Sequence, residues 1–126
     1  MFGKLINILK ENPKKIVFTE GSDPRILEAA SRLLASTFLS PILVGNKDEI
    51  AKAAEESGFN IRGADIIDPL NYDEIDEMVD MLCEIRKNKG MTPELARGIL
   101  SQANYFGTML VKMGIADALL GGATYS

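Results

Sequence analysis

The sequence predicts an α/β protein, a parallel sheet with helices on both faces. Short β-branched or apolar runs (KIVFT, SPILVG, GADIID, ADALL) recur along the chain, separated by stretches long enough to hold helices. Those stretches carry apolar residues at three- and four-residue spacing, the mark of one buried helical face. The first three runs each lead into a segment holding Gly, Asp, Asn or Pro, the residues that punctuate turns. Parallel strands need long connections, and helices supply them.

Taken in order, Met1 to Lys10 is expected as an opening helix, and Lys15 to Thr19 as the first strand, which ends in EGSDP. Asp23 can cap a helix that has Pro24 at its first position; Ile26, Leu27, Ala30, Leu33 and Leu34 share one face of it, to about Ser36. Ser40 to Gly45 is the second strand. Asn46 and Glu49 form a capping-box-like pair for a helix ending near Gly58. Gly63 to Asp68 is the third strand, broken by Pro69 and followed by a long helix from about Tyr72 to Asn88, with Gly90 placed to end it. Thr92-Pro93 opens another helix, NYFGTMLVKMG reads as a further one ending at Gly114, and Ala116 to Leu120 is the fourth strand.

Composition narrows the function. At 126 residues and 46% hydrophobic, the chain suits one domain, which at this length buries roughly two thirds of its unfolded surface. Fourteen Lys and Arg against eighteen Asp and Glu give a net charge of -4, with no long basic cluster, so nucleic acid is not an expected partner. No apolar run is long enough to span a bilayer, so neither is a membrane. The single cysteine, Cys83, cannot form an internal disulfide, and the N-terminus has no signal-peptide pattern, which points to a cytoplasmic location. Histidine is absent, excluding His-based triads and His-ligated metal within these residues.

In open parallel sheets ligands bind outside the carboxyl ends of the strands. Those ends are EGSD, GN, DPLN and GGATYS, which the topology would align along one edge. A glycine-rich turn after a strand normally feeds a helix whose N-terminus can hold an anion, so Ser126 is expected to be an interior position of a longer fold. On a helical wheel Arg86 falls on the stripe of Ile75, Val79 and Leu82. Two readings follow: it sits in a last turn where a cation suits the helix C-terminus, or its guanidinium grips a phosphate or carboxylate in a cleft. Asp23 and Asp68 read as a cap and a turn former, with Glu20, Ser22 or Arg25 as alternative cleft residues. Cys83 reads as a packing residue, and Met78, Met81, Met109 and Met113 as core filler. No nucleophile, base and oxyanion site assemble here, so no catalytic residue is assigned.

Five ordered segments carry a family resemblance: IVFTEGSDPRILEAA, PILVGNKDEI, IIDPLNYDEI, EIRKNKGMTPELA and NYFGTMLVKMGIADALLGGA. Together they resemble the N-terminal part of the phosphate acetyltransferases (phosphotransacetylases), within the wider phosphate acetyl/butyryl transferase family. The resemblance implies reversible acetyl transfer between acetyl phosphate and coenzyme A, without a metal or other cofactor. It implies a longer homodimeric enzyme of two α/β domains, related to the isocitrate/isopropylmalate dehydrogenase fold. Residues 1–126 would be the N-terminal portion of its first domain and inactive alone. It assigns Arg86, in the RKNKG segment, to coenzyme A, and Gly122 and Ser126 to the rim of the cleft. Gly121 stands where many relatives have serine, and Tyr125 where histidine is common. A butyryl-transferring relative and a non-catalytic module that binds a phosphorylated metabolite or a partner are the alternatives.

Overall fold

The computed structural model describes residues 14–36 and 39–120. Four strands are present among them: β1 (Lys14–Phe18), β2 (Leu39–Val44), β3 (Asp65–Ile67) and β4 (Ala118–Leu120). They form one sheet in the order β3-β2-β1-β4, parallel throughout. Five α-helices fill the connections: α1 (Pro24–Ser36), α2 (Lys47–Ser57), α3 (Ile75–Ile85), α4 (Pro93–Leu100) and α5 (Ala103–Lys112). This is the expected parallel α/β class. The expected opening helix, Met1 to Lys10, lies outside the described residues.

Alternation along the strands sorts the helices onto two faces. Val17, Ile42 and Val44 pack in one core with Met78, Val79 and Leu82 of α3, Leu100 of α4 and Phe106 and Leu110 of α5. Phe18 and Leu43, one residue out of phase, pack with Ile26, Leu27 and Ala30 of α1 and Ile50 and Ala54 of α2. Both faces of the sheet are therefore covered, which explains why its central strands read as continuous apolar runs.

The helix starts are fixed by the side chains the sequence offers. Asp23 Oδ1 accepts from Arg25 N at 2.8 Å at the head of α1, Asn46 Oδ1 from Glu49 N at 3.0 Å at α2, and Thr92 Oγ1 from Leu95 N at 3.2 Å at α4. Each satisfies an amide that the helix itself cannot pair. Gly58 closes α2 with its N–H directed at Ala54 O and Glu55 O.

Three expectations need correction. The helix expected over Tyr72–Asn88 is shorter at both ends. The Asp68 carboxylate accepts from Leu70 N at 2.9 Å and Asn71 Nδ2 at 3.4 Å, winding Pro69–Asn71 into a 3-10 turn and leaving Tyr72 extended. The Tyr72 ring then packs edge-on against Phe106, centroids 5.2 Å apart. At the other end Arg86 leaves helical geometry, and Lys87–Lys89 form a second 3-10 turn closed by Gly90 at φ 73°, a left-handed conformation that glycine adopts without strain. Second, Met81 is exposed, not core filler: Met78, Val79 and Leu82 take the buried stripe and turn Met81 and Ile85 outward. Met78 and Met109 are buried and Met113 packs at the core margin, as expected, as does Cys83. Third, the fourth strand is confined to Ala118–Leu120. Asp117 precedes it, with its N–H donating to Lys15 O and its carboxylate accepting from Lys15 N, both at 2.8 Å.

Candidate functional site

Arg86 is where α3 stops, and that places its side chain in a groove between helices, not under the sheet. Leu82, Ile85 and Arg86 form one wall, Ile99 and Leu100 of α4 contribute a second, and Tyr105, Thr108, Met109 and Lys112 of α5 complete it, around about 170 Å³. A neighbouring hollow of about 240 Å³ shares Leu82, Arg86, Ile99 and Tyr105 and adds Met91 and Gln102. Arg86 and Tyr105 thus border both. No strand-end residue lines either one.

The charge of this groove follows from which cations are already paired. Lys87 Nζ lies 3.1 Å from Glu84 Oε1, Arg25 Nη2 2.9 Å from Asp23 Oδ2, Arg32 Nη2 2.7 Å from Glu28 Oε1, and Arg97 is bonded to Asp76. Arg86 and Lys112 have no such partner among the described residues, and no carboxylate lines the groove. In a chain with net charge -4 the result is a local positive field over an apolar floor. A guanidinium in that setting offers forked donors to phosphate or carboxylate oxygens.

On the helical wheel Arg86 lies on the expected buried stripe of Ile75, Val79 and Leu82. It is exposed instead, because the helix ends one residue before the stripe would bury it. Tyr105, Thr108 and Lys112, which line the same groove, do not stand out in the sequence. Their spacing on α5 carries the signal, since residues three, four and seven apart share a helical face, but a mixed polar and apolar face reads as a helix margin.

The strand-end edge is a second location. The chain runs outward from β1 to β3 and then returns to place β4 on the other side of β1, so the topological switch point lies between β1 and β4. Thr19, just past β1, is 3% exposed there, and its Oγ1 has no hydrogen-bond partner among the described residues. The EGSD turn is shaped by packing. Gly21 N–H donates to Val44 O at 3.2 Å, and a Cβ on Gly21 would fall 2.7 Å from Ile50 Cδ1. Arg25 is held by Asp23, whose carboxyl is lowered below its ordinary range first by the hydrogen bond from the Arg25 side chain and then by that from its backbone N–H. Asp68 is buried in its own turn. These residues act as caps and turn formers. Gly122 and Ser126, with Gly121 and Tyr125, lie outside the described residues. Among the described residues no cluster of three or more acidic, Cys or His side chains could hold a metal, and no helix is long and apolar enough to cross a membrane.

Fold and groove together define a parallel α/β protein with a surface suited to an anionic ligand. Comparison with known proteins makes this specific: the model of the Phosphate acetyl/butaryl transferase family matches residues 1–126, and the chain belongs to that family. It is 47% identical over 112 residues to the phosphate acetyltransferase of Bacillus subtilis, covering 89% of this chain and 34% of that protein. It is 44% identical over 122 residues to the phosphate acetyltransferase of Thermoanaerobacterium thermosaccharolyticum, covering 97% of this chain and 37% of that protein. Among solved structures, the EutD phosphotransacetylase from Staphylococcus aureus superposes with a TM-score of 0.85 at 37% identity, over 98% of this chain and 38% of that one. A phosphotransacetylase from Streptococcus pyogenes does so with a TM-score of 0.85 at 39% identity, over 100% of this chain and 39% of that one. The chain spans about a third of the length of the curated relatives it matches.

Proposed function

We propose that these residues are part of a phosphate acetyltransferase, which moves an acetyl group reversibly between acetyl phosphate and coenzyme A. The observation that carries this reading is the likeness to phosphate acetyltransferases along 89% and 97% of the chain, with the family match running its whole length. In the forward direction the coenzyme A thiol loses its proton to a base, and the thiolate sulfur attacks the acetyl carbon. The bond from that carbon to the phosphate oxygen then breaks and inorganic phosphate leaves. The described residues supply binding to this scheme. Arg86 holds phosphate oxygens of coenzyme A, supported by its unpaired guanidinium and the absence of carboxylates around it. Gly122 and Ser126, outside the described residues, are assigned to the rim of the cleft by the family resemblance alone. The working enzyme is a cytoplasmic homodimer of two-domain subunits, with residues 1–126 forming the front of the first domain.

The family description names acetyl and butyryl transfer together, so the acyl group is tested directly. The protein translated from the native reading frame is incubated with coenzyme A and either acetyl phosphate or butyryl phosphate, and thioester formation is followed by absorbance. Acetyl phosphate is expected to react with the higher kcat/KM. A preference for butyryl phosphate would move the assignment within the family, and no turnover of either would overturn it.

A further inference from the structure

Two groups in the groove beside Arg86 have no role in the reading above: Lys112, the last residue of α5, and Tyr105, near its start. Lys112 has no ion pair among the described residues, in contrast to Lys87, which Glu84 neutralises. Tyr105 is 47% exposed although the residue beside it, Phe106, is fully buried, so an aromatic surface stands open between the two hollows. With eighteen carboxylates in the chain and none lining this groove, charge complementarity specifies an anionic occupant.

We propose that Lys112 and Tyr105 bind the nucleotide end of coenzyme A, Lys112 as a second phosphate-holding cation beside Arg86 and Tyr105 as the surface on which the adenine stacks. The inference rests on the coenzyme A reading above and adds residues to it. Coenzyme A is chemically two-ended. Its pantetheine arm is uncharged and ends in the thiol, whereas its other end carries a pyrophosphate, a ribose phosphate and a flat base. Two cations and an aromatic ring match the second end. The first end needs a base near the thiol, and no Asp, Glu or Cys lines the groove. The division of labour also fits the side chains: the Arg86 guanidinium is a planar fork for paired oxygens, and the Lys112 ammonium is a mobile point charge that can follow a phosphate separated from the first. A ring stacks on any base through its π-face, and Ile99, shared by both hollows, extends the apolar surface around it. A covering protein segment is the competing occupant, and it would bury two cations without compensation unless it brought carboxylates.

The test is isothermal titration of coenzyme A, adenosine 3′,5′-bisphosphate and pantetheine into the protein translated from the native reading frame. Wild type is compared with Lys112→Gln, Tyr105→Leu, Arg86→Gln and, as a control on α2, Lys52→Gln. Lys112→Gln is expected to weaken coenzyme A about three- to tenfold, as suits a solvent-exposed ionic contact. Tyr105→Leu should weaken it roughly tenfold through lost stacking. Both losses should recur for the bisphosphate and be absent for pantetheine, and Lys52→Gln should change nothing. If Arg86→Gln weakens coenzyme A while Lys112→Gln and Tyr105→Leu bind as wild type, this inference falls and the coenzyme A reading stands. If Arg86→Gln also binds as wild type, both fall. A drop of several degrees in the Tm of Tyr105→Leu with unchanged coenzyme A affinity would mean that protein covers the groove, which overturns the inference as well.

Discussion

Arg86, where α3 ends, and Lys112, where α5 ends, line one groove, and neither is paired with a carboxylate among the described residues. Their approach depends on how closely α5 sits on the sheet. That closeness is set at Gly107, where a Cβ would fall 2.8 Å from Leu119 Cδ1, 2.9 Å from Thr19 Cγ2 and 3.1 Å from Val17 Cγ1.

Gly107→Ala is therefore expected to destabilise the fold by about 1 to 3 kcal/mol, the usual cost of forcing a methyl into a packed core. Urea denaturation reads it as a lower midpoint with an unchanged slope. Helix propensity alone favours alanine by about 1 kcal/mol, so a midpoint at or above wild type would mean that α5 does not rest on β1 and β4 as described.

Thr19 gives the opposite sign. Its hydroxyl is buried without a hydrogen-bond partner among the described residues, so it loses hydration and gains nothing in return. Thr19→Val keeps the branched shape and removes the polar atom, and is expected to raise stability by roughly 1 kcal/mol. A loss of stability would mean that the hydroxyl has a partner at the switch point between β1 and β4.

Much of the fold is legible because its determinants are local. The strand runs, Asp23 with Pro24, Asn46, Gly58 and Thr92 with Pro93 act within one turn of where they stand, and α1 spans Pro24–Ser36 as its spacing predicts. The limits of α3 are less legible. They depend on Asp68 turning back onto its own backbone and on Tyr72 meeting Phe106, a contact between residues far apart in the chain. The groove is harder still to read. Arg86 stands out as a cation on an apolar stripe, but Tyr105 and Lys112 gain meaning only when α5 is laid beside the end of α3, and a helical wheel of either element alone does not show that.

Asp23 predicts a pH dependence. Its folded carboxyl titrates below the ordinary range, so its contribution is complete above the unfolded value of about 3.9 and is lost as pH falls through the lower, folded value. Asp23→Asn keeps an N-cap but removes the charge that pairs with Arg25. The stability difference between wild type and Asp23→Asn, measured by urea denaturation, should be constant from pH 7 to about 5 and close below about 4. A difference that stays the same down to pH 3 would show that the pairing contributes nothing.

The most direct test of the account is the kinetics of Arg86→Gln in the protein translated from the native reading frame. Because Arg86 is exposed, the contact with coenzyme A proposed for it falls at the lower end for charge-assisted bonds. The account predicts a KM for coenzyme A raised about tenfold, with kcat and the KM for acetyl phosphate unchanged, the pattern left when a binding contact equal in ground and transition states is lost. An unchanged KM for coenzyme A would contradict it and leave Arg86 as the residue that merely ends α3.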